Sequence, residues 1–229
     1  MDEANTLTKG ERTRQRLKKT ALRLFAQRGF ENVSIRDIQM AAGQKNNGSI
    51  SYYFESRDAL IREIVADIAE KLDADNNRRL DEIEKLGGPT DIRQVARILL
   101  PILPSRDAEN QEEVYRLRFF TSVLISRRDL LFEATAGSDR ATRRAFKHIQ
   151  RLAPDMPPEI LRQRLMLMVL FALSAGASME AAQTDAKGWA SLWSAPSAEA
   201  NLADVMAGII AADVSEAAFS KSRRGKGKP

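Results

Sequence analysis

The chain has no cysteine and a single histidine among its 229 residues. The first absence excludes disulfides and thiolate zinc sites and fits a reducing cytoplasm, the compartment expected for the protein. The second leaves most nucleophilic and metal-dependent chemistries short of parts. A P-loop, a G-x-S-x-G elbow, an H-E-x-x-H helix and a dinucleotide fingerprint are also missing, so neither an enzyme nor a cofactor is expected. No uninterrupted run of about 18 apolar residues occurs, which predicts no transmembrane helix and no membrane partner. The opening MDEANTLTKGERTRQR is polar and lacks the apolar stretch of a secretory signal. No alternating strand pattern and no internal repeat stands out.

Enough apolar material is present, 43% of residues, to build a sizeable core. The net charge of +5 is unevenly placed: residues 1–60 carry +4, residues 61–219 carry −4 and residues 220–229 carry +5. A basic module on a mildly acidic body suits a polyanion partner for the module alone, although solubilising charge accounts for the same numbers.

The apolar spacing is helical throughout. From Lys9 to Arg28, Leu17, Ala21, Leu24 and Phe25 share one face, and Gly29 stands where a helix ends in a left-handed conformation. Ser34-Ile35-Arg36-Asp37 has the form of a capping box, which starts a short helix that Gly43 stops. Gln44-Lys45-Asn46-Asn47-Gly48 is turn chemistry, followed by a second short helix from Gly48 to Phe54. Ser56 caps the next helix, whose Leu60, Ile64, Ile68 and Leu72 keep an i+4 stripe. The stripe weakens across Asp73–Arg79 and resumes to Leu86. Residues 57–86 would span roughly 45 Å as one helix. Further helices are predicted over 91–102, 109–126, 128–152 with an interruption near Gly137, 157–184 and 197–214. Asp73-Ala74-Asp75-Asn76-Asn77 has the spacing of a calcium-loop start, with Glu84 at the twelfth position. Arg78 replaces the required turn glycine and the context is helical, so no metal site is assigned.

Two short helices about a glycine-containing turn suit a helix-turn-helix, whose second helix enters the major groove of DNA. Gly48, Ser49 and Ser51 are small enough for close backbone approach, and Tyr52 and Tyr53 carry hydroxyls for phosphates. Helix starts at Ile35, Gly48 and Arg57 present N–H groups to phosphate oxygens, joined by the side chains of Ser34 and Arg57. Arg36 is the only long cation on the first short helix and the candidate for a forked contact to guanine. Residue by residue, caps, solvated charge and surface tyrosines account for the same sequence.

Residues 9–60 resemble the DNA-binding domain of the TetR family of bacterial transcriptional regulators. The match runs in order through ALRLFAQRGFENVSIRDIQMAAG, SISYYF and ESRDALI. The resemblance implies that Ser34, Tyr53 and Arg57 bind phosphate, that Arg36 reads a base, and that Ser49, Ser51 and Tyr52 lie on the recognition helix. One departure is visible: QKNNGSIS is one residue longer than the usual family turn, so Lys45 and Asn47 enter the candidate DNA contacts without a family counterpart.

The expected architecture is therefore all-α. Residues 1–56 form a three-helix helix-turn-helix DNA-binding domain, 57–219 a larger helical ligand-binding and dimerisation domain, and 220–229 a basic disordered tail. The family implies a homodimer paired through its last two long helices. Leu165, Met168, Ala172, Gly176 and Met179 on one, and Leu202, Val205, Met206 and Ile209 on the other, are the candidate contacts; a monomer core is the alternative. The family also implies a small-molecule effector, whose pocket candidates are Tyr115, Phe119, Phe132, Phe171 and Trp189, with Phe120, Met166 and Trp193 behind them. Such aromatic stripes are core more often than pocket. The expected function is a ligand-responsive repressor that binds a palindromic double-stranded DNA operator and is released by a small, largely apolar effector. The alternative is an all-helical small-molecule-binding or interaction protein that has lost DNA regulation.

Overall fold

The structure is a computed structural model that describes residues 7–43, 52–101, 114–184 and 190–216. Among them the regular structure is helical and no strand occurs. Helix α1 (Lys9–Arg28) begins at a capping box in which the Thr8 hydroxyl accepts from Glu11 N at 3.2 Å and Thr8 N donates to the Glu11 carboxylate at 2.7 Å. It ends at Gly29, whose φ of 78° and ψ of 161° lie outside the left-handed helical well but in a region that only glycine enters readily. Helix α2 (Ile35–Ala41) starts at the expected Ser34 box with Asp37. Tyr52 and Tyr53 are helical, and helix α3 (Arg57–Lys85) follows from its Ser56 cap, where Ala59 N donates to the serine hydroxyl at 3.0 Å.

The body comprises α4 (Ile92–Leu99), α5 (Arg116–Ser126), α6 (Arg128–Ala134), α7 (Arg140–Leu152), α8 (Pro158–Thr184), a single turn α9 (Ala190–Trp193) and α10 (Ala198–Ala211). The helix predicted over 128–152 is thus two, separated at Gly137 with φ 95°. The turn at α9 was not foreseen; four residues are too few to show a period.

Two cores organise these elements. The first joins Leu17, Phe25, Phe30 and Ile38 of the N-terminal helices to Leu60, Ile64 and Ile68 of α3, and continues into Phe119, Val123 and Leu131. It crosses residue 57, where the sequence suggested a domain boundary. The second packs Val95 and Leu99 of α4 and Ile149 of α7 against Leu165, Met168 and Ala172 of α8 and Leu202, Met206 and Ile210 of α10.

The weak stripe on α3 has a physical explanation. Where apolar residues lapse, polar ones bind the neighbouring helices. Asp73 accepts Ala141 N at 2.7 Å and the Asn77 amide at 2.8 Å. Arg144 donates to Asn77 Oδ1 at 2.7 Å, Asp81 at 2.6 Å and Glu84 at 2.7 Å, while Arg79 donates to the carbonyls of Arg97 and Leu100 at 3.0 and 2.9 Å. The segment with calcium-loop spacing is therefore helix: Asp73 accepts from neutral N–H donors, Asp75 pairs with Arg78 and Glu84 with Arg144. The single histidine, His148, is half-buried and lies 2.8 Å from Glu84 through Nε2.

Helix α8 is long and apolar enough, by length and composition, to cross a membrane. A count of uninterrupted apolar residues misses it because serine and glycine break the run without adding charge. Its inner side is core, and Arg164 holds it to the end of α10 by donating to the carbonyls of Ile210 at 2.6 Å, Ala212 and Asp213 at 3.1 Å. Cations suit the negative end of a helix dipole.

Candidate nucleic-acid interface and effector cavity

The reading head is built on α1, α2 and the first turns of α3. Ser34 and Arg36 are exposed at the start of α2, where backbone N–H groups have no helical partner. Hydrogen bonds from the Ser34 hydroxyl and N–H hold the Asp37 carboxyl below the usual carboxylate range. Tyr52 is 81% exposed and meets Tyr53 edge-on at 5.0 Å between ring centroids. Tyr53 is half-buried against the first core, and its carbonyl accepts from Arg14 at 3.4 Å. The two tyrosines therefore differ: one ring is anchored, the other is free to meet a partner. Lys45, Asn47, Gly48, Ser49 and Ser51 lie outside the described residues.

Arg57 is placed otherwise than as a phosphate ligand. Its guanidinium turns inward over the Phe25 ring at 5.3 Å and donates to the Phe30 carbonyl. Any phosphate contact at this helix start falls to the backbone. Two cations of α1 are also committed: Arg14 pairs with Glu63, and Lys18 with Asp67 and, at 3.7 Å, Glu63. Of the other cations of α1, Arg12, Arg16, Lys19 and Arg23 are exposed.

A cavity of about 330 Å³ lies between α3, α5, α6, α7 and α8. Phe120 and Leu124 of α5, Leu131 and Phe132 of α6, and Met166 and Leu170 of α8 form much of its apolar wall; Asp73, Asn76 and Arg128 add polar groups. Among the pocket candidates Phe120, Phe132 and Met166 are there. Phe119 is not: it is fully buried on the opposite side of α5, stacked 6.0 Å from Phe25 and 5.5 Å from Phe30. Its neighbour Phe120 takes the cavity position, because one residue turns a helix by about 100°. Tyr115 accepts from the Gln27 amide at 3.1 Å, Phe171 packs on the second core, and Trp189 lies outside the described residues.

The predicted dimer contacts need a larger correction. Leu165, Met168, Ala172, Gly176, Leu202 and Met206 are buried within one chain. Gly176 admits α5: a Cβ there would meet Leu117 Cδ1 at 2.7 Å and Pro101 Cγ at 3.3 Å. Met179 and Ile209 are half-buried on the same core, and of the nine only Val205 is exposed. Periodicity identified an apolar face correctly but could not say whether a sister helix or a second chain covers it.

Short ties connect head and cavity. Arg127, immediately before α6, donates to Asp58 in the first turn of α3 at 3.0 Å and to Asp129 at 3.3 Å. Arg62 of α3 donates to Glu133 of α6 at 3.3 Å. Sequence reading missed these ties, since ion pairs between distant helices leave no local pattern.

A capped short helix, an exposed tyrosine and the exposed cations of α1 lie together at the N-terminal end of a helical body. Residues 17–64 match the family model of bacterial regulatory proteins, tetR family, so this N-terminal segment carries that family's domain. No curated protein matches it. Solved structures similar to it include RolR in complex with the ligand resorcinol, at 19% identity over 96% of each chain with a TM-score of 0.45. Superantigen PfiT is similar at 18% identity over 90% of this chain and 100% of its own, with a TM-score of 0.48. At such identities neither protein's ligand nor its activity transfers to this one.

Proposed function

We propose that the protein is an effector-responsive repressor that binds a palindromic operator as a homodimer. The observation that carries this reading is the position of α6. Leu131 and Phe132 of α6 wall the cavity, while Glu133 of α6 and Arg127 immediately before it bind α3 next to the reading head. An occupant that displaces α6 changes the free energy of the head's position, provided it binds the two arrangements unequally. The mostly apolar wall suits a small, largely apolar effector. Ser34, Arg36, Tyr52 and Tyr53 are the described DNA contacts we assign, with Arg36 the base reader.

The test is selection of duplexes from a random pool, with and without a panel of small apolar compounds. We expect a palindromic site whose affinity falls steeply with salt and weakens with one compound class. Arg36→Ala should relax base preference at one position, at a cost of about 1–3 kcal/mol. No preferred site and a salt slope worth only one or two phosphates would point instead to a binding protein without DNA regulation.

A further inference from the structure

We propose that the cavity selects a positively charged effector: an apolar molecule bearing an ammonium group, which Asp73 binds. The inference rests on the effector reading above and names the chemical class of the ligand.

Asp73 stands where the apolar stripe of α3 lapses, and it lines the cavity together with Asn76 one turn on. It is half-buried. A carboxylate offers about four acceptor positions on its two oxygens. One position on each oxygen is filled: Oδ1 accepts Ala141 N at 2.7 Å and Oδ2 accepts the Asn77 amide at 2.8 Å. Both donors are neutral. Among the described residues no cation pairs with Asp73, because the arginines of the adjoining turns are held elsewhere. Arg79 donates to Asn76 Oδ1 at 2.6 Å and to the carbonyls at the end of α4. Arg144 binds Asn77, Asp81 and Glu84, and Arg143 pairs with Asp139 at 3.0 Å. Arg140 is exposed at the start of α7.

The start of α7 lends Asp73 a helix dipole worth roughly half an elementary charge. That offsets part of a full negative charge and leaves the rest facing the cavity. A charge withdrawn from water is stable when it is paired, and the space beside this one is the cavity itself. The other walls suit the body of such a molecule. Leu72, Leu131, Met166 and Leu170 are apolar, and Phe120 and Phe132 are aromatic, which attracts a cation to a ring face. The second carboxylate of the lining, Asp139, has the same sign as Asp73. One cation lines the cavity: Arg128, exposed on α6 a turn before Phe132. Its neighbour Arg127 ties that end of α6 to Asp58, about 20 Å along α3 from Asp73. An ammonium at Asp73 is therefore remote from Arg128. An anionic ligand can approach only this exposed arginine, where water and salt screen the attraction.

The experiment uses the full chain and three matched ligands at neutral pH: octylammonium, octanol and octanoate, which share a chain and differ in charge. Isothermal titration calorimetry measures each affinity, and circular dichroism reports the fold. We expect octylammonium to bind about tenfold more tightly than octanol, with octanoate weakest, and this advantage to shrink as sodium chloride is added. Asp73→Asn keeps an oxygen for Ala141 N; it should stay helical and bind octylammonium and octanol equally. Octanol or octanoate binding the wild type as tightly as octylammonium overturns the proposal, whether or not the variant folds, and leaves the effector cavity standing. A folded Asp73→Asn chain that keeps the preference also overturns it. A wild type that binds none of the three overturns the effector-cavity reading itself, and with it the choice of charge.

Discussion

Glu180 carries the least expected role of any single residue. It is fully buried on α8, and its two oxygens accept the N–H groups of Leu117 and Arg118, each at 2.9 Å. Helix α5 has no side-chain cap of its own, since its first flanking residue is Tyr115. The carboxylate of a distant helix therefore satisfies donors that every helix start leaves open. Burial pushes the Glu180 carboxyl above its ordinary value, while the two backbone hydrogen bonds pull it down. Glu180→Gln keeps the shape but offers one acceptor and aims an amide donor at the other N–H. Urea unfolding should show a loss of about 1–3 kcal/mol. A group whose folded pKa is raised stabilises most below its unfolded pKa and loses that contribution as pH rises through the folded value. The wild type should show this descending component above the ordinary carboxylate range and the variant should not. Equal stabilities at every pH would mean that the carboxylate caps nothing. Nothing in SAGASMEAAQ signals this role: an acidic residue in an apolar helix reads as surface until its partner helix is known.

At the scale of elements, α6 matters beyond its seven residues. The hydrogen bond from Arg127 holds the Asp58 carboxyl below the usual carboxylate range, and the same guanidinium lowers Asp129. A carboxylate with a depressed folded pKa contributes stability above its unfolded pKa and loses it as pH falls through the folded value. Both groups are partly exposed, so a cycle of Arg127→Ala and Asp58→Ala should give a coupling of only about 0.2–1 kcal/mol near neutral pH. It should vanish in acid below the carboxylate range. A coupling that persists there would belong to packing and not to the ion pair. The elements themselves were legible because their signals are local. Caps at Ser34 and Ser56 and the break at Gly137 stand within a few residues of what they control. Arg57 was misread for the complementary reason: its partners Phe25 and Phe30 are about thirty residues away in sequence.

Across the whole molecule, the contact of Phe119 with Phe25 and Phe30 makes the reading head and the body parts of one core. A head on a loose linker would let an event in the cavity dissipate; a head on a shared core moves with its support. Phe119→Ala should cost about 3–5 kcal/mol by opening this core. Tyrosine fluorescence, which reports Tyr52 and Tyr53 among others, and tryptophan fluorescence from the body should shift together. A variant in which only one signal moves would show two independently folding domains.

The sequence by itself determined the helical class, most helix ends, the helix-turn-helix frame and its family resemblance. Each follows from spacing and capping within a few turns, where chain connectivity fixes the geometry. Tertiary structure decided which neighbour each apolar face meets. It assigned Gly176 and Met168 to the chain's own core, left Leu167 and Val205 outside, put Phe120 and not Phe119 on the cavity, and turned Arg57 inward. These choices depend on which helices pack together, and a helical period is the same whatever surface covers it.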